Sequence, residues 1–325
     1  MIAIDRLISR VVSMKNPTCV GLDTTIDMIP ESLLEYHTKY ADAPFTPTMI
    51  EEIAEAIFSF NKKIIDTICD IVPVVKINIA MYEKFGSYGI NTYIKTIQHA
   101  RDNGMVVIGD VKRGDIGNTV ESYSDAHLGR VTIGDRKVAI YDTDFITVNP
   151  YMGFDTIHPF LDDCKTYEKG IFILAKTSNP GSIDIQDRIT LNDDASVGAI
   201  GTSWIPLHVK VCKYIESYGE EFVSKEYPNF TSVGAVVGFN HSTSLGSLRD
   251  NFPNVFFLVP GYGAQGGTAK DVAKAFRKED KLGAIVNSSR GIIASHKKDP
   301  NSSWIDCIRN ATITMRDELR EAIGL

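Results

Sequence analysis

Residues 105–116 read MVVIGDVKRGDI, and this stretch decides the fold. It begins as a short run of β-branched and other apolar residues, bounded by Gly104 and Gly109. Such a run suits a strand of a parallel sheet that is covered on both faces. Its end then turns charged. Asp110 and Lys112 stand two positions apart, so on an extended strand both side chains point the same way. An apolar strand with a charged C-terminal end is what an α/β barrel requires, because reactive groups gather where its strands give way to loops.

Working outward, the same kind of run recurs at 18–22, 71–77, 145–148, 171–175, 232–239, 255–259 and 284–286, which makes eight in all. Helical patterns separate most of them. Between the first two, Ile50, Ile53, Ala54, Ile57, Ile64, Ile65 and Ile68 follow helical spacing, and Thr48 and Glu51 have the spacing of a capping box. Helices also fit 89–101, 118–128 and 268–278. Eight strands alternating with helices predict an α/β fold, a (β/α)8 TIM barrel. A doubly wound open sheet satisfies the same local pattern, and the strand count favours the barrel.

The length of 325 residues would allow two domains, but one barrel takes about 250 residues plus insertions. Residues 1–325 are therefore read as one barrel domain. Polar stretches at 35–47, 181–203 and 216–229 read as loops or small added elements within it.

The formal net charge is −7 and no long Lys/Arg block occurs, so nothing electrostatic points to nucleic acid. The five cysteines, Cys19, Cys69, Cys164, Cys212 and Cys307, are widely spaced and form no CxxC pair. That argues against a disulfide framework and for a reducing compartment. Asp5 and Arg6 fall too early for the apolar core of a signal peptide, and runs such as VFFLV are too short to span a bilayer. The expectation is a soluble cytoplasmic protein with no membrane partner.

The polar residues at the strand ends carry the chemistry. The first strand ends at Asp23, the second at Lys76-Ile77-Asn78, and the third runs into GDVKRGDIGNT. The fifth, seventh and eighth run into KTSNPG, PGYGAQGG and NSSRG. Asp110, Lys112, Arg113 and Asp115 form the densest cluster, and Lys76 could extend it from the neighbouring strand. At about 4 Å and an effective dielectric of about 20, each opposite pair attracts by roughly 4 kcal/mol. Such an array could hold an ammonium group ready in a sheltered site, or it could be a structural ion-pair network.

The segment GYGAQG, 261–266, fits GxGxxG, but no acidic residue stands about 20 positions later to hold a ribose. Loops after strands seven and eight of a barrel commonly bind phosphate through backbone N–H groups, and Arg290 supplies a charged fork beside them. No HExxH or GxSxG motif occurs, and no cysteine sits in a recognisable nucleophile motif. The reading therefore assigns no metal and no cofactor.

The motif D-x-K-x-x-D-I at 110–116 resembles that of the orotidine 5′-monophosphate decarboxylase family. Supporting anchors are Gly21-Leu22-Asp23, Lys76, Thr177-Ser178-Asn179-Pro180-Gly181, the 260–267 loop and Ser289-Arg290-Gly291. They cover nearly the whole chain, and the insertions match a longer-chain branch. The resemblance implies a cofactor-free decarboxylase of a pyrimidine nucleotide, orotidine 5′-monophosphate, in pyrimidine biosynthesis. Lys112 would protonate C6, Asp110 would lie beside the substrate carboxylate, and Lys76 and Asp115 would complete a Lys–Asp–Lys–Asp array.

The resemblance also implies a homodimer with shared active sites, Asp115 entering from the second subunit with Ile116 and Thr119 nearby. Asp23 would hold the ribose, Ser178 the pyrimidine, and Gln265 and Arg290 the phosphate. Asn78, at the end of the second strand, joins the expected substrate contacts. An orotate phosphoribosyltransferase, if coupled, would be a separate protein.

Two other functions compete. Magnesium-dependent sugar-phosphate decarboxylases and aldolases of the same superfamily share the motif but place a metal-binding carboxylate where Lys76 stands. A non-catalytic nucleotide-binding barrel would leave the buried charges without a task, which is expensive.

Overall fold

A computed structural model describes residues 1–34, 46–192, 203–239, 242–263 and 266–325. Eight parallel strands close a barrel: β1 Thr18–Gly21, β2 Val74–Asn78, β3 Val106–Arg113, β4 Phe145–Val148, β5 Gly170–Lys176, β6 Val233–Val237, β7 Phe257–Pro260 and β8 Ala284–Ser288. Each strand pairs with its neighbours in sequence, and β1 closes on β8. All eight apolar runs become barrel strands, so the open-sheet alternative is excluded.

Around the barrel run α1 Ala3–Met14, α2 Pro47–Ile68, α3 Gly86–Asp102, α4 Gly117–His127, α5 His158–Tyr167, α6 Leu207–Gly219, α7 Ser242–Asn251 and α8 Trp304–Ile323. The alternation of strand residues separates two cores. Val75, Ile77 and Val107 point outward and join Ile57, Phe60 and Ile64 of α2. Val74, Val106 and Ile108 point inward and join Ile4, Leu7, Ile8 and Val11 of α1. Helix α1 thus plugs the N-terminal end of the barrel, and each of those four side chains contributes about 1.5–3 kcal/mol by leaving water. With that end filled, the strands' C-terminal ends are left to form a site.

Several boundaries differ from the sequence reading. The expected cap of α2 by Thr48 and Glu51 does not form. Pro47 occupies the first helical position, where its missing N–H leaves nothing unsatisfied, and Thr46 is the N-cap residue, its N–H donating to Met49 Sδ at 3.2 Å. The helix expected over 268–278 is short: Ala269–Val272 is α-helical, a 3-10 turn covers Ala273–Ala275, and Phe276 is already extended. Strand β2 starts only at Val74, after a turn.

The 35–47 insertion lies mostly outside the described residues. In the second insertion, Ile189–Leu191 pairs antiparallel with Trp204–Pro206. In the third, α6 extends to Gly219 before a 3-10 turn at Glu220–Phe222. A further hairpin, Val131–Ile133 with Arg136–Val138, was not expected.

Candidate active site

The inward alternation of β2 and β3 brings Lys76 and Asp110 face to face. Lys76 Nζ donates to Asp110 Oδ2 at 2.7 Å, and Lys112 Nζ donates to Asp110 Oδ1 at 2.6 Å. Lys76 also reaches Asp23 Oδ1 at 3.3 Å. The result is a continuous chain of charges, Asp23–Lys76–Asp110–Lys112, at the C-terminal mouth of the barrel.

Burial makes these charges interact strongly. The side chains of Lys76 and Asp110 are 6% and 9% exposed, while that of Lys112 is 48% exposed. Burial alone would raise the Asp110 pKa, but the ammonium groups of Lys76 and Lys112 outweigh it and hold the carboxyl below the usual range. Burial would likewise discharge Lys76, but Asp110 and Asp23 outweigh it and raise its pKa. Both groups are charged at neutral pH.

Backbone geometry aims the array. Lys112 has φ +46°, rare for a residue with a side chain. The pairing of β3 with β4 shifts register between Gly109 and Arg113. Thr147 of β4 holds this irregular turn by accepting the N–H groups of Val111 and Lys112 at 3.0 and 2.9 Å. Asp23 follows β1 beside a buried polar relay: Thr24 donates to Asn61, Asn61 to Tyr82, and Tyr82 to the Leu22 carbonyl.

The array forms one wall of a cleft of about 550 Å³, within the range of small-molecule sites. Ser178 lines it after β5, Gly261 and Tyr262 after β7, Asn287 from the end of β8, and Ser289 and Arg290 just beyond it. Gly238 lets the end of β6 approach closely: a Cβ there would lie 2.8 Å from the Ser178 backbone nitrogen. Gly261 and Gly263 adopt φ +106° and +73°, so the loop after β7 depends on glycine. Arg290 is exposed and makes no ion pair among the described residues. Asn287 Oδ1 and Ser289 Oγ are buried without a partner, which leaves this end of the cleft furnished with unused polar groups.

The structure thus brings Asp23, Lys76, Asp110, Lys112, Ser178 and Arg290 together. Asp115, Asn78, Ile116 and Thr119 are not among the residues that line this cleft. Asp115 Oδ1 accepts the Ile116 N–H at 2.8 Å, and the Ile116 side chain is 63% exposed. Asn78 Oδ1 accepts the Ala80 N–H at 3.1 Å and shapes the next turn. Gln265 lies outside the described residues. Sequence reasoning gave no role of their own to Thr147, Asn287 and Ser289. The last two stand in the quoted NSSRG segment, whereas Thr147 sits inside the apolar run FITV and carried no signal.

No helix among the described residues is long and apolar enough to cross a membrane. No three His, Cys, Asp or Glu side chains among them gather in a way that could hold a metal ion. The five cysteines are free.

A closed (β/α)8 barrel with a buried ammonium–carboxylate chain at one end of its cleft and an exposed guanidinium at the other defines a barrel built for an anionic ligand. The chain belongs to the orotidine 5′-phosphate decarboxylase / HUMPS family, whose model matches residues 18–204. It is 40% identical to the orotidine 5′-phosphate decarboxylase of Clostridium acetobutylicum over 322 residues, covering 98% of this chain and 99% of that protein. It is also 40% identical to the orotidine 5′-phosphate decarboxylase of Petrotoga mobilis, covering 99% of each. The structure of Leishmania donovani OMP decarboxylase superposes with a TM-score of 0.69 at 25% identity over 100% of both chains.

Proposed function

We propose that this chain is a carbon–carbon lyase that converts orotidine 5′-monophosphate to uridine 5′-monophosphate and carbon dioxide, with Lys112 as the proton donor to C6. The observation that carries this reading is the single Asp110 carboxylate held between two ammonium groups. The C6–carboxylate bond breaks, carbon dioxide leaves, and the electron pair stays on C6. Lys112 stabilises that charge and then gives C6 a proton, and solvent reprotonates the amine. A fixed ammonium aimed at developing charge is worth most in a sheltered site. Asp110 lies beside the substrate carboxylate and fixes both lysines.

In this reading Asp23 holds the ribose, Ser178 the pyrimidine, and Arg290 with Gln265 the phosphate. Binding energy gained at the phosphate end can be used to order the charged end, which raises turnover rather than affinity alone. Lys76 speaks against the magnesium-dependent sugar-phosphate reading, because its ammonium group occupies the end of β2 and would repel a cation. The array itself speaks against a silent barrel, since buried charges are costly to keep.

The active form is a homodimer in which Asp115, Ile116 and Thr119 of each chain serve the partner's cleft. Their position outside their own chain's cleft supports this. We read residues 1–325 as one domain, because α1 fills the barrel's end and Trp304 of α8 packs on Phe60 of α2 at 5.3 Å between ring centroids. A soluble nucleotide substrate fits a cytoplasmic enzyme, supplied by a separate orotate phosphoribosyltransferase. The test is turnover of orotidine 5′-monophosphate by the purified chain, followed by the loss of the substrate's ultraviolet absorbance.

A further inference from the structure

The end of the barrel opposite the cleft carries a second cavity, of about 500 Å³. It lies where α1 meets the N-terminal ends of β3, β4 and β5. Arg6 and Arg10, one helical turn apart on α1, face Arg101, Arg130 and Lys169 across it. The carboxylates that line the same cavity are Asp142 and Asp144. In a protein of net charge −7, this concentration of positive charge runs against the average.

The charges do not balance locally. Asp142 alone serves three cations: Arg101 at 2.9 Å, Arg130 at 3.1 Å and Lys169 at 2.8 Å. Asp144 serves Arg6 at 2.9 Å. Arg10 has no carboxylate partner among the described residues. Its Nη2 reaches the Met14 sulfur at 3.9 Å and the Cys69 carbonyl at 3.5 Å, and its buried Nε has no partner. Burial holds Arg10 and Lys169 below their ordinary pKa values, and at Lys169 the neighbouring Asp142 and Asp144 offset it only in part.

The guanidinium of Arg130 is held in place: it stacks on the Tyr167 ring at 4.8 Å and donates to the Gly129 carbonyl at 2.7 Å. Planar forks converging from several directions suit the tetrahedral oxygens of a phosphoryl group, each of which can accept from more than one fork. The cavity's size suits a small molecule, not a polymer.

We propose that this basal cavity binds a small multivalent anion bearing phosphoryl groups, with Arg10 and Arg130 as its principal ligands. The anion would tie α1, the plug of the barrel, to the segments that precede β4 and β5. The site is separate from the cleft, and the proposal does not depend on the reaction assigned there.

Inorganic pyrophosphate is the probe. Hydrogen exchange of the whole chain, with and without pyrophosphate, should show added protection in α1 and in residues 130–144. Calorimetric titration should show binding that Arg290→Ala leaves in place at this face. Arg10→Gln combined with Arg130→Gln should weaken it by about tenfold or more, the scale of a lost charged hydrogen bond. The wild-type exchange experiment needs no variant and stands if the double variant folds poorly. Absence of protection at α1 and 130–144, or pyrophosphate binding that the folded double variant leaves unchanged, would overturn the proposal.

Discussion

Thr147 Oγ1 donates to Asp110 Oδ1 at 3.0 Å. The same oxygen accepts the N–H groups of Val111 and Lys112, so one hydroxyl fixes both the carboxylate and the turn that carries Lys112. Thr147→Val keeps the shape and removes these bonds. Misplacement of a reacting group by about 1 Å can cost about a hundredfold in rate. We expect Thr147→Val to lower kcat by about that factor with KM little changed, and Thr147→Ser to restore most of it. Equal losses in both variants would show that the hydroxyl is not the positioning element.

The two ends of the cleft should fail differently. Lys112→Ala should abolish turnover while uridine 5′-monophosphate still binds, because Lys112 acts on charge that develops in the transition state. The fold should survive, since Lys76 still neutralises Asp110 at 2.7 Å. Arg290→Ala should instead weaken nucleotide binding by about tenfold or more. Near-normal turnover in Lys112→Ala would remove it from the proton-donor role.

The array also gives a pH signature. Asp110 has a depressed pKa, so its stabilising contribution is present above the unfolded carboxylate value, about 3.9, and is lost as pH falls through the lower folded value. Lys76 has a raised pKa, so its contribution is present below about 10.4 and is lost as pH rises through the higher folded value. Both are in force between about pH 5 and 9. Asp110→Asn should cost about 3 kcal/mol there, as breaking a buried pair does. Denaturant melts should show the gap from wild type narrowing as pH falls below about 4. A gap that stays constant into strong acid would contradict the assigned ion pairs.

Much of this was legible in the sequence because barrel strands buried on both faces must be apolar throughout, and eight such runs are present. Lys76, Asp110 and Lys112 were legible because charge at a strand's end stands out against that background. Helix α1 was not read from its pattern, although its Ile4, Leu7, Ile8 and Val11 fill the barrel's end. The role of Thr147 was hidden, because a threonine within FITV looks like any β-branched strand residue and its partners stand 35 to 37 positions away. The α2 cap was misplaced by two residues, at Thr48 instead of Thr46, since Pro47 begins the helix and sequence spacing alone did not weigh it.

Shared sites predict complementation. Lys112→Ala and Asp115→Ala chains, each inactive, are unfolded together and reassembled. About half the dimers will be mixed, and a two-fold dimer gives each mixed pair one site with both residues intact. About a quarter of all sites should recover activity. No recovery, with subunit exchange shown by mass, would mean that each chain builds its site alone.

The most direct test of the central claim is turnover by metal-stripped wild-type protein. Orotidine 5′-monophosphate is added after exhaustive chelation, and both the fall in ultraviolet absorbance and the appearance of uridine 5′-monophosphate are followed. The account predicts full conversion at a rate that added magnesium does not change. No conversion, or conversion that appears only when magnesium is restored, would contradict it.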